Sequence, residues 1–142
     1  MIVGFLNVNH ASGKGHQITS LAQEKEIDIL FLSETYLLPE ESIGIPMGHF
    51  PMVSCQRSDN PRRRTTHGLM IYCRDIRMCN HIEPLDQSPL HLLCKVGEYI
   101  LAYIYWNPGA NLPLDQRNAH SAALVELIRN IHDSHRDEKL IV

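Results

Sequence analysis

Apolar residues along the 142-residue chain fall into short runs whose spacing switches between two periods. Residues 2–8 and 28–33 are near-continuous apolar runs of strand length, the second carrying Ile29, Leu30, Phe31 and Leu32 without a break, as in a strand covered on both faces. Between them, residues 17–25 place Ile18, Leu21 and Ala22 at helical spacing, which predicts a short helix and a βαβ-like start. A connection rich in Pro, Gly and Glu follows over 38–48, then a strand at 49–55 and a polar loop. Four strand-like segments come next, at 68–74, 77–82, 90–96 and 99–105. The short gaps between them, with Pro84, Pro89 and Gly97, suit antiparallel neighbours. Residues 115–133 predict the longest helix, with Ala119, Ala122, Ala123, Leu127 and Ile131 near one face and Asp115 as N-cap or first-turn acid. Residues 139–142 then begin another strand, and a chain that stops inside an apolar run reads as an incomplete domain.

Composition narrows the class. A hydrophobic fraction of 44% and a charged fraction of 20% are those of one ordinary globular domain rather than a disordered chain. No apolar run approaches the roughly 20 residues of a membrane helix. The first residues lack the basic and apolar blocks of a signal peptide, so an intracellular location, nuclear or cytoplasmic, and no membrane partner are expected. Cys55, Cys73, Cys79 and Cys94 form no Cys-x-x-Cys pair, which favours reduced thiols over a disulfide framework or a zinc site. With a net charge of −3 there is no global attraction to nucleic acid, so phosphate binding would need a local basic patch or a metal.

Several motifs offer chemistry. The stretch Ala11 to Gln17 contains Gly13-Lys14-Gly15 but lacks the first glycine and the Ser/Thr of a phosphate loop, and reads as a loop before a helix. His132 and His135 are three apart on the long helix; with no further ligand nearby they read as solvated, since zinc takes about three or four. Arg62, Arg63 and Arg64, with Arg57 upstream, are the densest basic cluster, suited to nucleic-acid phosphates or simply to a solvated loop. Glu34 ends the apolar run at 28–33. Taken alone such an acid is more often solvated than functional. If the first two strands are parallel neighbours, however, Asn7 and Asn9 lie at the same edge as Glu34, where ligand sites of α/β sheets gather. Their oxygens suit Mg²⁺ and its waters. Tyr105 ends a strand in the same manner.

Taken in order, Leu6-Asn7-Val8-Asn9, a helix, then Asp28 through Ser33-Glu34-Thr35 resembles the opening of the endonuclease/exonuclease/phosphatase superfamily. The Asn-Val-Asn and Ser-Glu-Thr forms are most similar to the apurinic-endonuclease-like domains of non-LTR (LINE-type) retrotransposons. His67 to Arg74 fits the family's glycine-led core strand, and Tyr103 to Gly109 its Tyr-x-Pro-Asn region.

The resemblance implies an α/β fold, part of a four-layer α/β/β/α sandwich of mixed, largely antiparallel sheets, that hydrolyses phosphate esters with Mg²⁺ or Mn²⁺. It implies a nuclease acting on DNA, with a phosphatase of small-molecule or lipid phosphates, or a non-catalytic binding module, as alternatives. Carried over, Glu34 would ligate the metal, Asn9 would lie near it, Asn7 would belong to the catalytic hydrogen-bond network, and Tyr105 would contact the scissile phosphate. Asn107, Arg62, Arg63 and Arg64 would contact substrate. Family members often have Asp where Asn9 stands, and Asn107-Pro108 inverts the usual order. The family's Gly-Asp-x-Asn and Asp-His motifs do not occur here, so residues 1–142 read as an N-terminal portion, expected to be inactive alone, with the C-terminal part missing and apolar sheet surface uncovered.

Overall fold

The computed structural model describes residues 1–37, 49–57, 65–88, 90–105 and 113–142. In chain order the elements are β1 (Val3–Asn7), α1 (Gly15–Glu24), β2 (Ile29–Ser33), β3 (His49–Arg57), β4 (Thr65–Cys73), α2 (Ile76–Cys79), β5 (Ile82–Ser88), β6 (His91–Val96), β7 (Tyr99–Ile104), α3 (Leu114–Ser134) and β8 (Lys139–Ile141). They build two four-stranded sheets, ordered β1-β2-β4-β3 and β5-β6-β7-β8. β1 runs parallel to β2 across the α1 crossover, and β8 parallel to β7 across α3; the other pairs are antiparallel.

Strand periodicity sorts the apolar side chains into three layers. From β2 and β4, Ile29, Phe31, Leu69, Ile71 and Cys73 point into the space between the sheets, where they meet Leu92, Cys94, Val96 and Leu101 of the second sheet. The alternate residues Leu30, Leu32, Met70 and Tyr72 pack outward on Ile18 and Ala22 of α1. On the other side of the molecule, Leu93, Ile100 and Ala102 meet Ile131 of α3. The result is the expected α/β/β/α sandwich, and β2 is buried at all five positions because both its faces are covered.

Several expectations change. Residues 77–82 are not one strand. Asp75 accepts a hydrogen bond from the backbone N–H of Arg77 (2.8 Å) and caps the short helix α2, and β5 begins only at Ile82. β5 then runs through Pro84. It is an edge strand with a register shift at Pro84, where a missing N–H is tolerated. On α3, Ala119, Ala122 and Ala123 are exposed and Asp115 lies in the first turn after Pro113; the helix meets its sheet through Leu127 and Ile131, in its C-terminal half. The second sheet is present and covers the first; among the described residues, the exposed large apolar side chains of the strands lie on edge strands, with Phe5 of β1 53% exposed and Ile141 of β8 40%. The β6–β7 turn has two residues, Gly97 and Glu98, and Gly97 at φ +61° supplies the left-handed geometry that such hairpins need.

The thiols follow the layers. Burial pushes the Cys73 thiol far up and that of Cys94 to about 12, and Cys73, Cys79 and Cys94 are free. At the sheet end opposite the strand tips of β1 and β2, Asp28 accepts from the backbone N–H of Ile2 and from Arg74, both at 2.7 Å. Those bonds hold its carboxyl below the usual range. An exposed clasp of this kind contributes at most about 1 kcal/mol, whereas each buried core side chain contributes about 1.5–3 kcal/mol, so the apolar layers set the stability.

Phe31 tests this arrangement, because its ring is buried between the sheets and lies 5.5 Å from Phe5 and 5.1 Å from Tyr103. Phe31→Ala is expected to cost about 3–5 kcal/mol in urea unfolding, and Leu114→Ala, on an exposed helix end, within about 0.5 kcal/mol. A Phe31→Ala cost below about 1 kcal/mol would contradict the packing between the sheets.

Candidate functional site

The parallel pairing of β1 and β2 ends in register, with Asn7 opposite Ser33. Beyond it the two segments stay joined by backbone hydrogen bonds: Val8 N–H to the Ser33 carbonyl (3.0 Å), His10 N–H to Glu34 (2.8 Å) and Ala11 N–H to Thr35 (3.0 Å). Thr35 N–H in turn donates to the carbonyl of Gly68 on β4 (3.2 Å). The tips are therefore one connected layer, as the βαβ reading requires.

The backbone at these tips is unusual. Asn9 (φ 40°), His10 (φ 70°), Glu34 (φ 54°) and Tyr36 (φ 53°) all occupy the left-handed region. Such residues cost on the order of 1–3 kcal/mol each and persist where the surroundings over-determine them. Asn7 contributes directly, because its Oδ1 accepts from the backbone N–H of Asn9 (3.0 Å) and closes the turn. His10 and Tyr36 stack above it with ring centroids 4.3 Å apart.

The second sheet reaches the same edge through Tyr105, which follows β7 and is held by a 2.8 Å hydrogen bond from its N–H to the carbonyl of Leu90. Its hydroxyl donates to Oε1 of half-buried Glu34, joining the two sheets across the sandwich. Burial, then the hydrogen bond to Glu34 and the carboxylate charge, hold the Tyr105 hydroxyl well above the ordinary tyrosine range, so it stays protonated as a donor. Tyr103, two residues earlier on the same strand face, is raised by burial as well, and more weakly by the charge of Glu34. Ser33 and Thr35, on either side of Glu34, are both buried, and the Thr35 hydroxyl makes no hydrogen bond among the described residues.

Of the residues singled out from sequence, the structure brings Asn7, Asn9, Glu34 and Tyr105 to one edge. Asn107, Arg62, Arg63 and Arg64 lie outside the described residues. His135 pairs with Glu138 (2.6 Å) and His132 lies beside Asp133 (3.4 Å) on an exposed face, so neither is placed as a metal ligand. The His10–Tyr36 stack was missed, although His10 directly follows Asn9 and Tyr36 comes two residues after Glu34. Tyr103 was missed as a neighbour of Glu34, although period 2 from Tyr105 points to it. The groove of about 470 Å³ at the opposite end of the sheet holds Asp28, Arg74, Asp75 and Arg77, whose charges pair with one another.

Among the described residues no three His, Cys, Asp or Glu side chains are grouped to hold a metal ion. The edge instead offers oxygen donors: the Glu34 carboxylate, whose Oε2 makes no hydrogen bond among the described residues, and the amide oxygen of Asn9. That set fits Mg²⁺, which binds through one or two carboxylates and keeps water and substrate phosphate in its remaining positions. It does not fit a zinc cage.

No family model and no curated protein matches the chain. Solved structures do. An AP endonuclease from Archaeoglobus fulgidus superposes over 94% of this chain and 52% of its own, with a TM-score of 0.61 at 18% identity. The 3′ phosphatase NExo from Neisseria, in a variant bound to product DNA hairpin, superposes over 94% of this chain and 53% of its own, with a TM-score of 0.61 at 19% identity. The fold is thus that of AP-endonuclease-like structures, and the chain spans about half the length of these neighbours.

The Tyr105 contact predicts its own titration. An unfolded tyrosine ionises near pH 10, and in the fold the neutral form is favoured. The stability this contributes is complete below about pH 10 and is lost as the pH rises through the higher folded value. In a spectrophotometric titration Tyr105→Phe is expected to remove a late-ionising step, and to flatten the loss of stability above about pH 10. A titration unchanged by the substitution would break the assignment.

Proposed function

We propose that residues 1–142 are the N-terminal portion of a single metal-dependent phosphodiesterase domain of the DNA endonuclease type. The observation that carries this reading is the Glu34–Tyr105 hydrogen bond at the edge where Asn7 and Asn9 also end, which gathers a carboxylate, two amides and a protonated hydroxyl from both sheets. In this reading Glu34 would hold Mg²⁺ or Mn²⁺, with Asn9 contributing its amide oxygen. The bound ion would polarise phosphoryl oxygens and offset the charge that develops in the transition state. Tyr105, neutral over the working pH range, would turn its one hydroxyl proton from Glu34 to the scissile phosphate once the ion occupies that carboxylate, and Asn7 holds the Asn9 turn.

DNA is the proposed substrate. One structural neighbour is bound to a product DNA hairpin, and Arg62, Arg63 and Arg64 supply the densest basic cluster against a net charge of −3. Asn107 is kept as a substrate contact on the sequence pattern alone. Within the superfamily, the Asn7-Val8-Asn9 and Ser33-Glu34-Thr35 forms favour the endonuclease domain of a LINE-type retrotransposon. The Gly-Asp-x-Asn and Asp-His motifs do not occur in these 142 residues, so cleavage is assigned to the full reading frame. No helix among the described residues is long and apolar enough to cross a membrane.

The test is plasmid nicking by the full reading frame with Mg²⁺. Glu34→Ala is expected to lower kcat by about 10²–10³-fold, the scale of losing one preorganised charge-stabilising group. Wild-type nicking retained in Glu34→Ala would refute the reading. DNA binding without any cleavage, in wild type and Glu34→Ala alike, would favour a binding module instead.

A further inference from the structure

Lys14 stands where a helix usually carries an oxygen acceptor. It is the N-cap residue of α1, its side chain caps nothing there, and a cation at that end opposes the helix dipole. The half-buried side chain turns back instead. Its Nζ donates to the carbonyl of Val8 at 2.5 Å and to that of Asn9 at 2.8 Å.

These two carbonyls belong to the peptides that link Val8 to Asn9 and Asn9 to His10. Both converge on one point because Asn9 and His10 are consecutive left-handed residues, at φ 40° and 70°. Converging carbonyl dipoles repel one another unless a cation lies between them. The ammonium fills that place, at the expense of ordinary helix capping. A residue that breaks a local rule without gain to its own element is expected where another demand outweighs it. The demand here is the shape of the Asn7–His10 turn, whose His10 N–H bonds the Glu34 carbonyl.

We propose that Lys14 is a positioning residue of the strand-tip site: its ammonium clamps the carbonyls of Val8 and Asn9 and so holds Asn7 and Asn9 beside Glu34. Two of its three donors are spent on backbone carbonyls, and the role proposed for it is to hold the turn rather than to grip substrate. The inference rests on reading this edge as a phosphodiesterase site, and its test separates the two.

Hydrogen exchange reads the clamp without reference to activity. In Lys14→Met, exchange at the amides of His10 and Ala11 is expected to quicken at least about tenfold, with Phe31 and Leu32 unchanged, since local opening reports local contacts. In the full reading frame the same substitution is expected to lower kcat at least about tenfold, while DNA affinity and its salt dependence stay at wild-type values. Lys14→Arg, which keeps the charge and donors, should recover part of both losses. It also carries the comparison if Lys14→Met does not fold. Weaker DNA binding with a shallower salt slope and unchanged exchange would make Lys14 a phosphate contact and overturn the proposal. Faster exchange with wild-type kcat would overturn it too. If Glu34→Ala cleaves normally, the phosphodiesterase reading fails by itself, and the exchange result still decides whether the clamp exists.

Discussion

A five-residue strand buried on both faces imposes the main constraint on this molecule. β2 sends Ile29 and Phe31 into the space between the sheets and Leu30 and Leu32 onto α1. At about 1.5–3 kcal/mol for each buried side chain, these four residues outweigh the exposed ion pairs, which contribute at most about 1 kcal/mol apiece. Such a strand cannot slip. A shift of one residue would exchange its two faces, and both neighbouring layers would lose their complement. The position of Glu34, directly after the buried run, is therefore as well determined as the core itself.

This rigidity permits the strained tips. Four left-handed non-glycine residues cluster at the edge, at a cost on the order of 1–3 kcal/mol each. Their peptide groups are tied by backbone bonds to neighbouring segments, by the Asn7 side chain and by Lys14. At the opposite end of the sheet one left-handed non-glycine residue, Glu26 (φ 53°), stands where the chain leaves α1, and Asp28 and Arg74 close a simple exposed clasp. An edge built this way holds carboxylate, amide and hydroxyl groups in fixed places, as the proposed phosphodiesterase reading requires.

Much of this was legible in the sequence for reasons that can be named. The unbroken run at Ile29 to Leu32 announces a strand covered on both faces, and Gly97 the tight hairpin. The juxtaposition of Asn7, Asn9 and Glu34 followed from one assumption, parallel pairing of the first two strands, which the register Asn7 to Ser33 bears out. Local chemistry misled the strand reading at 77–82, because Asp75 capping wins there over apolar content, and β5 accepts Pro84 as an edge strand. The alanine face of α3 was misleading for another reason. Helical spacing shows which residues share a face, but not how far along the helix the sheet reaches, and contact is made at Leu127 and Ile131. Lys14 was illegible because its partners are backbone carbonyls, whose directions depend on φ values that sequence does not reveal.

The Glu34–Tyr105 contact ties these strands of argument together. A half-buried carboxylate without donors or a cation would cost several kcal/mol. One hydroxyl satisfies one oxygen, and in the proposed reading the metal ion takes the other. Ser33 and Thr35 on either side are small and buried, so the backbone packs closely while the acid between them faces the edge. Tyr105 comes from the other sheet, so any loosening of the sandwich would move the hydroxyl away from the carboxylate. Core packing and site geometry are thus coupled through Tyr103 and Tyr105, which share a face of the β7 segment. The Tyr103 ring packs on Phe31 in the core, and two residues on the Tyr105 hydroxyl reaches the acid. That coupling explains why polar groups can gather at the tip of a strand buried on both faces. The strand supplies the rigidity, and the partner sheet supplies the donor.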